Sequence, residues 1–210
     1  MIERHFPECY RRCDEASLRW QRRSVWSQVV QLVALFASAV VSAVGDHPVP
    51  VVLLFVVAIM AQLDRATTRA DERWWNGRAG AESVKTMAWR FVVGGSPFGL
   101  ADADAEVELA RRITEVAKEL AKTLPVATAG SPVTDEMRAA RARPLAERID
   151  RYRTERIHDQ CEWYRNKSEF NEQRATQWSV AGLAVAGLGL SLGILAAIDG
   201  WRLDAVGAFA

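Results

Sequence analysis

The chain has 210 residues, 50% of them hydrophobic and 25% charged, and its 27 basic and 26 acidic side chains leave a net charge of +1. That length suits one or two domains, and the near-neutral balance gives no electrostatic reason to expect nucleic acid as a partner. Cys9, Cys13 and Cys161 form no dense framework and read as reduced thiols facing the cytosol.

The charge is sharply segregated. Residues 25–44 are twenty positions without Asp, Glu, Lys, Arg or His, about the length of a helix that crosses ~30 Å of hydrocarbon. Their charged prelude of twenty-four residues fits a retained anchor better than a cleaved signal. Gly45-Asp46-His47-Pro48 then forms a polar turn, and a second uncharged run of fifteen residues, 49–63, returns beside the first. Fifteen is short for a span; the turn forces the pairing, Arg65 can snorkel at the far boundary, and Pro50 suits a first helical turn.

Residues 64–177 carry 20 basic and 19 acidic side chains and read as solvated helices. The second span is expected to run on through Asp71, because no breaker precedes Asn76-Gly77. Further helices are expected over about 79–93, ended by Gly94-Gly95-Ser96-Pro97, and about 104–123, started behind Asp102 and Asp104. Residues 124–135 read as a flexible link, and a long helix from near Pro144 can continue into a third uncharged run of twenty-one residues, 178–198. Trp26, Trp178 and Trp201 lie at span ends, where an amphipathic ring prefers the interface. The basic residues near the spans put the N-terminus and 64–177 in the cytoplasm and the 45–48 turn outside.

Cys9, Arg22, Trp26 and Ser27 recur 152 residues later as Cys161, Arg174, Trp178 and Ser179, so a charged helix twice enters a span through Trp-Ser. By that repeat, 203–210 would open a fourth span. The expected fold is an all-α integral membrane protein with a transmembrane hairpin and long cytoplasmic helical extensions. Its units are 1–98, a cytoplasmic helix and linker 99–143, and a second, incomplete unit 144–210.

Chemistry is sparse. The chain has no P-loop, no His-Glu-x-x-His, no Gly-x-Ser-x-Gly and no Cys-x-x-Cys, and neither a catalytic residue nor a cofactor is expected. His5, Cys9 and Cys13 share one helical face and His158 sits three before Cys161, which could hold zinc if the segments paired. Buried small side chains and surface histidines are the simpler reading, so no metal is expected. Glu82 has Arg78 and Lys85 at helical spacing, which suits a salt-bridged structural residue. Trp74, Trp75 and Trp89 suit core packing or interface anchoring rather than ligand stacking.

Residues 76–98, NGRAGAESVKTMAWRFVVGGSPF, behind a two-span hairpin, and 159–178, DQCEWYRNKSEFNEQRATQW, before another span, resemble SLATT proteins. The matching positions are Arg78, Glu82, Trp89, Arg90, Pro97 and Phe98, then Trp163, Tyr164, Lys167 and Trp178. The resemblance implies a membrane effector of a bacterial conflict system that oligomerises and perturbs or permeabilises the bilayer on a cytoplasmic signal. It also implies a nucleotide-signalling or sensor protein as partner. The alternative is a membrane-anchored scaffold or sensor whose cytoplasmic helices recruit a soluble partner.

Two membrane faces complete the expectations. Ser24, Gln28, Gln31, Ser38 and Ser42, with Leu35 in the apolar gap, make a polar stripe that would face a pore or a neighbouring helix. Gly182, Gly187, Gly189 and Gly193 suit close helix packing, and so a homo-oligomer in the lipid bilayer.

Overall fold

The computed structural model describes residues 6–45, 47–101, 103–124 and 130–199. Trp201, the 203–210 stretch, Asp46 and Asp102 lie outside the described residues. Those described form helices joined by turns and irregular loops: α1 (Glu8–Val44), α2 (Pro48–Thr68), α3 (Ala70–Val93), α4 (Ala105–Leu120), α5 (Asp135–Arg141), α6 (Leu145–Tyr152), a π-helical segment Arg153–His158, and α7 (Asp159–Asp199). By contact the chain divides into two units, one made of Met1–Trp26 with Arg65–Asp159, the other of Ser27–Asp64 with Gln160–Ala210.

The first unit is a packed helical domain. Periodic apolar residues of α4 (Leu109, Ile113, Ala117) meet Val84, Ala88 and Val92 of α3 in one core, closed by Phe6 and Cys13 from the α1 side and Met137 from α5. Thr134 caps α5, its hydroxyl accepting the Met137 N–H at 3.2 Å.

The second and third helices differ from the sequence expectation. The break falls at Arg69, not at Asn76-Gly77. Arg69 adopts a left-handed conformation (φ 47°), and α3 begins immediately after it. Tertiary packing explains a break that local propensity does not announce: Ala70 is buried, and Asp71 accepts the Ser24 hydroxyl and pairs with Arg65 at 3.5 Å. Asn76-Gly77 is helix interior instead. A Cβ at Gly77 would stand 3.1 Å from the backbone nitrogen of Ser17 and 3.2 Å from the Cys13 carbonyl, so glycine is there for close approach of α1 and α3.

The described helices long and apolar enough to cross a membrane are Glu8–Ala43 and Pro48–Thr68, whose 27–43 and 48–64 stretches belong to the second unit. Ala34 and Ala58, each 4% exposed, are buried, while Leu32, Phe36, Leu53 and Met60 are more than half exposed. The side chains described on α7 from Cys161 to Ser191 are exposed throughout.

Candidate functional site: an apolar hairpin and a helix-end clamp

Seven residues advance a helix by nearly two turns, so positions seven apart stay on one side. On α1 the series Ser24, Gln31, Ser38 is turned inward: Ser24 and Ser38 are buried and Gln31 is half-buried. The series Gln28, Leu35, Ser42 lies four residues on, about 40° around the helix, and is exposed. The polar stripe is therefore two rows with different surroundings. Ser38 spends its hydroxyl on the Leu35 carbonyl at 2.7 Å, and the Ser27 hydroxyl donates to the Asp64 carboxylate at 3.1 Å. Small side chains and hydroxyl bonds of this kind let membrane helices approach closely.

The other motif residues lie mostly in the first unit. Arg78 bridges Asp14 at 3.3 Å and Glu82 at 2.9 Å, and Glu82 also meets Arg156 at 3.5 Å. Lys85 does not join them; its ammonium lies 5.8 Å from the ring centres of Phe6 and Tyr10. Trp89 is a core residue, edge-on to Tyr152 at 5.6 Å and to Phe6 at 6.4 Å. Trp74 and Trp75 stack on one another at 4.9 Å, with Trp75 mostly exposed. Arg90 is exposed, Pro97 is half-buried behind a cis peptide bond, and Phe98 is fully buried against Phe91.

The Gly-Gly-Ser-Pro-Phe stretch ends α3 as expected and is held by residues the sequence reading did not single out. Gly94 is left-handed (φ 75°) and Gly95 donates its N–H to the Arg90 carbonyl at 2.8 Å. Arg141 of α5 donates to the carbonyls of Phe91, Phe98 (3.0 Å) and Gly99 (2.7 Å) and lies over the Phe91 ring. Arg148 of α6, buried, donates to Val93 at 2.6 Å and to Arg143 at 2.9 Å. Two guanidinium groups thus meet the Phe91 and Val93 carbonyls among those that the terminating α3 leaves open, and also tie down the loop that follows. Apart from the Arg143 contact five residues away, these bonds span 42 to 55 residues along the chain, so no local pattern marks them.

Cys9 and Cys13 are buried in the first unit, where a hydrogen bond from Cys13 holds the Cys9 thiol below its usual range and pushes Cys13 up. His5 lies outside the described residues, and no group of three or more metal-ligating side chains is found among those described. A cavity of about 50 Å³ beside Cys9, lined by Ile113 and Ser131 among others, is small against the few hundred Å³ of an ordinary ligand site. In α7, Trp163 and Tyr164 touch edge-to-face at 4.9 Å, Lys167 lies 5.1 Å from the Phe170 ring, and both Trp163 and Tyr164 are at least half exposed. Gly182, Gly187, Gly189 and Gly193 have nothing within 4 Å of a would-be Cβ.

The family model described as SMODS and SLOG-associating 2TM effector domain 3 matches residues 7–149, more than half of the chain. The chain belongs to the SLATT family. A second SLATT model, SMODS and SLOG-associating 2TM effector domain 1, matches residues 152–210. No curated protein and no solved structure matches the chain. SLATT domains are two-transmembrane effector domains of conflict systems and are not known as enzymes. The all-helical fold with its apolar hairpin agrees with that membership, and this SLATT chain is a membrane protein with an effector role.

Proposed function

We propose that this SLATT chain oligomerises in the cytoplasmic membrane and permeabilises it on a cytoplasmic signal. The observation that carries the reading is the hairpin itself: its outer surface is apolar and exposed on both helices, while its inner seam is small and hydroxyl-bearing. In water such a surface would be unstable; in lipid it is satisfied, and the exposed row of Gln28, Leu35 and Ser42 is the face of α1 that a pore would line. A ring of such helices would place Leu35 at an apolar constriction that gates by dewetting. The N-terminus and residues 64–177 lie in the cytoplasm, supported by the basic flanks. There they meet a nucleotide-signalling or sensor protein, supported by the association in the family description.

Potassium efflux and membrane potential on induced expression test this. Leu35→Ser is expected to leak without a trigger, and Gln28→Leu to suppress efflux with insertion unchanged. Unchanged conductance for Leu35→Ser in inserted, oligomeric protein overturns the pore. A membrane-impermeant thiol reagent that reaches a cysteine at Arg73 but not one at Asp46 in intact cells overturns the orientation.

A further inference from the structure

We propose that α7 is a pairing helix that docks in parallel register on α7 of a second copy of this chain. The inference rests on membrane insertion of the chain, which makes the α7 helices of two copies run in the same direction.

The sequence of α7 carries a strict heptad. Small residues recur every seven positions as Cys161, Ser168, Ala175, Gly182 and Gly189. Three residues after each come Tyr164, Asn171, Trp178, Val185 and Leu192, the second position of a coiled-coil seam. Of these, Tyr164, Trp178 and Val185 are 63%, 70% and 66% exposed. The same spacing on α1 has a known fate in this structure. Ser17, Ser24, Gln31 and Ser38 fall on one seven-residue series; the three serines are at most 3% exposed and Gln31 is half-buried. Serines in heptad spacing thus sit where helices of this chain come together, and α7 displays a series of five small residues that are all exposed among the described residues.

Charge selects the occupant. In a parallel pair the residues flanking the seam meet across it, each flanking position against the one five residues on in the partner. For α7 the cross pairs are Gln160 with Arg165, Lys167 with Glu172, and Arg174 with Ser179. One pair is opposite in sign and, by two-fold symmetry, occurs twice; none is alike in sign. The lone Asn171 within the seam can bond its own counterpart only in this register, which penalises slippage. The aqueous part of α7 supplies register and the Gly-rich part close approach in lipid.

Cys161 makes the test direct, because it is exposed while Cys9 and Cys13 are buried. In a parallel seam paired small positions come within disulfide reach. Full-length protein in native membranes, oxidised with copper phenanthroline, is expected to give a dimer that Cys161→Ser abolishes. In that background Ser168→Cys and Ala175→Cys should restore it, and Asn166→Cys, on the opposite side, should give at least about fivefold less. Lys167→Glu should lower the Ser168→Cys dimer about threefold and the added Glu172→Lys should restore it. No dimer at 161, 168 and 175 in inserted protein, or equal yield at 166, overturns the proposal. Efflux measured on the same membranes separates the two readings: efflux without the periodic cross-link leaves the effector reading standing and removes α7 as the interface.

Discussion

The sharpest prediction concerns Arg148, which no sequence motif marks. Arg148→Met keeps most of the buried stem and removes the guanidinium. The donors at 2.6 and 2.9 Å are lost, and hydrogen bonds to a charged group contribute ~1.5–3 kcal/mol each. The gross loss of ~3–6 kcal/mol is offset in part because a buried cation whose acceptors are neutral carbonyls was desolvated at some cost. A net destabilisation of ~2–4 kcal/mol should remain, with Val93 left without its cap. For a chain of this size that lowers Tm by about 5–12 °C. The assay is thermal unfolding of the full chain in detergent, followed by near-ultraviolet circular dichroism, which reports the packing of ordered aromatic rings, the buried Trp89 among them. Arg90→Met is the matched control: Arg90 lies in the family motif but is exposed, so its change should stay within about 0.5 kcal/mol. If Arg148→Met melts within about 2 °C of the parent, or if Arg90→Met costs as much, the clamp does not hold the end of α3.

Gly94→Ala places a Cβ in a left-handed conformation 2.9 Å from Leu100 Cγ and 3.0 Å from the Arg148 guanidinium, and should cost ~1–3 kcal/mol in the same melt. In the hairpin, Ala58→Leu overpacks a seam only 4% exposed and should destabilise by ~1–3 kcal/mol, read as increased protease cleavage at the 45–48 turn; Ile59→Leu, outward-facing, is the control. Acid should weaken the α4–α5 contact. Hydrogen bonds from Arg138 hold Glu106 below its ordinary range, and those from Arg111 and then Arg112 bring Glu108 down to about 2. A depressed carboxyl stabilises above its unfolded pKa of about 4.3 and loses that contribution as pH falls through the folded value. Tm should therefore decline between about pH 5 and pH 2, and Glu106→Gln should make the decline shallower.

The helical class, the hairpin and the Gly94 terminator could be read in the sequence because each depends on neighbours within a few residues. What escaped depends on distance along the chain. Arg69 has ordinary helical propensity and is turned left-handed by the burial of Ala70 and the bonding of Asp71 to Ser24. Asn76-Gly77 has the composition of a turn, yet the glycine serves the crossing of α1 over α3. The α1 stripe was legible as polarity but not as two rows, since four- and three-residue steps merge in sequence while the helix separates them by about 40°. Arg141 and Arg148 resemble any solvated arginine until the end of α3 is brought to them.

The contact at Gly77 also sets a rule for divergence. With backbone atoms of Ser17 and Cys13 at 3.1 and 3.2 Å from the vacant Cβ position, trimming the Ser17 side chain cannot make room for a larger residue at 77. A lineage that gains bulk at 77 must move its first helix outward, and the space so opened has to be refilled by larger side chains at 13 and 17. Positions 13, 17 and 77 are therefore expected to drift as a coupled trio, so that helix spacing in a distant SLATT chain can be gauged from three letters of its sequence.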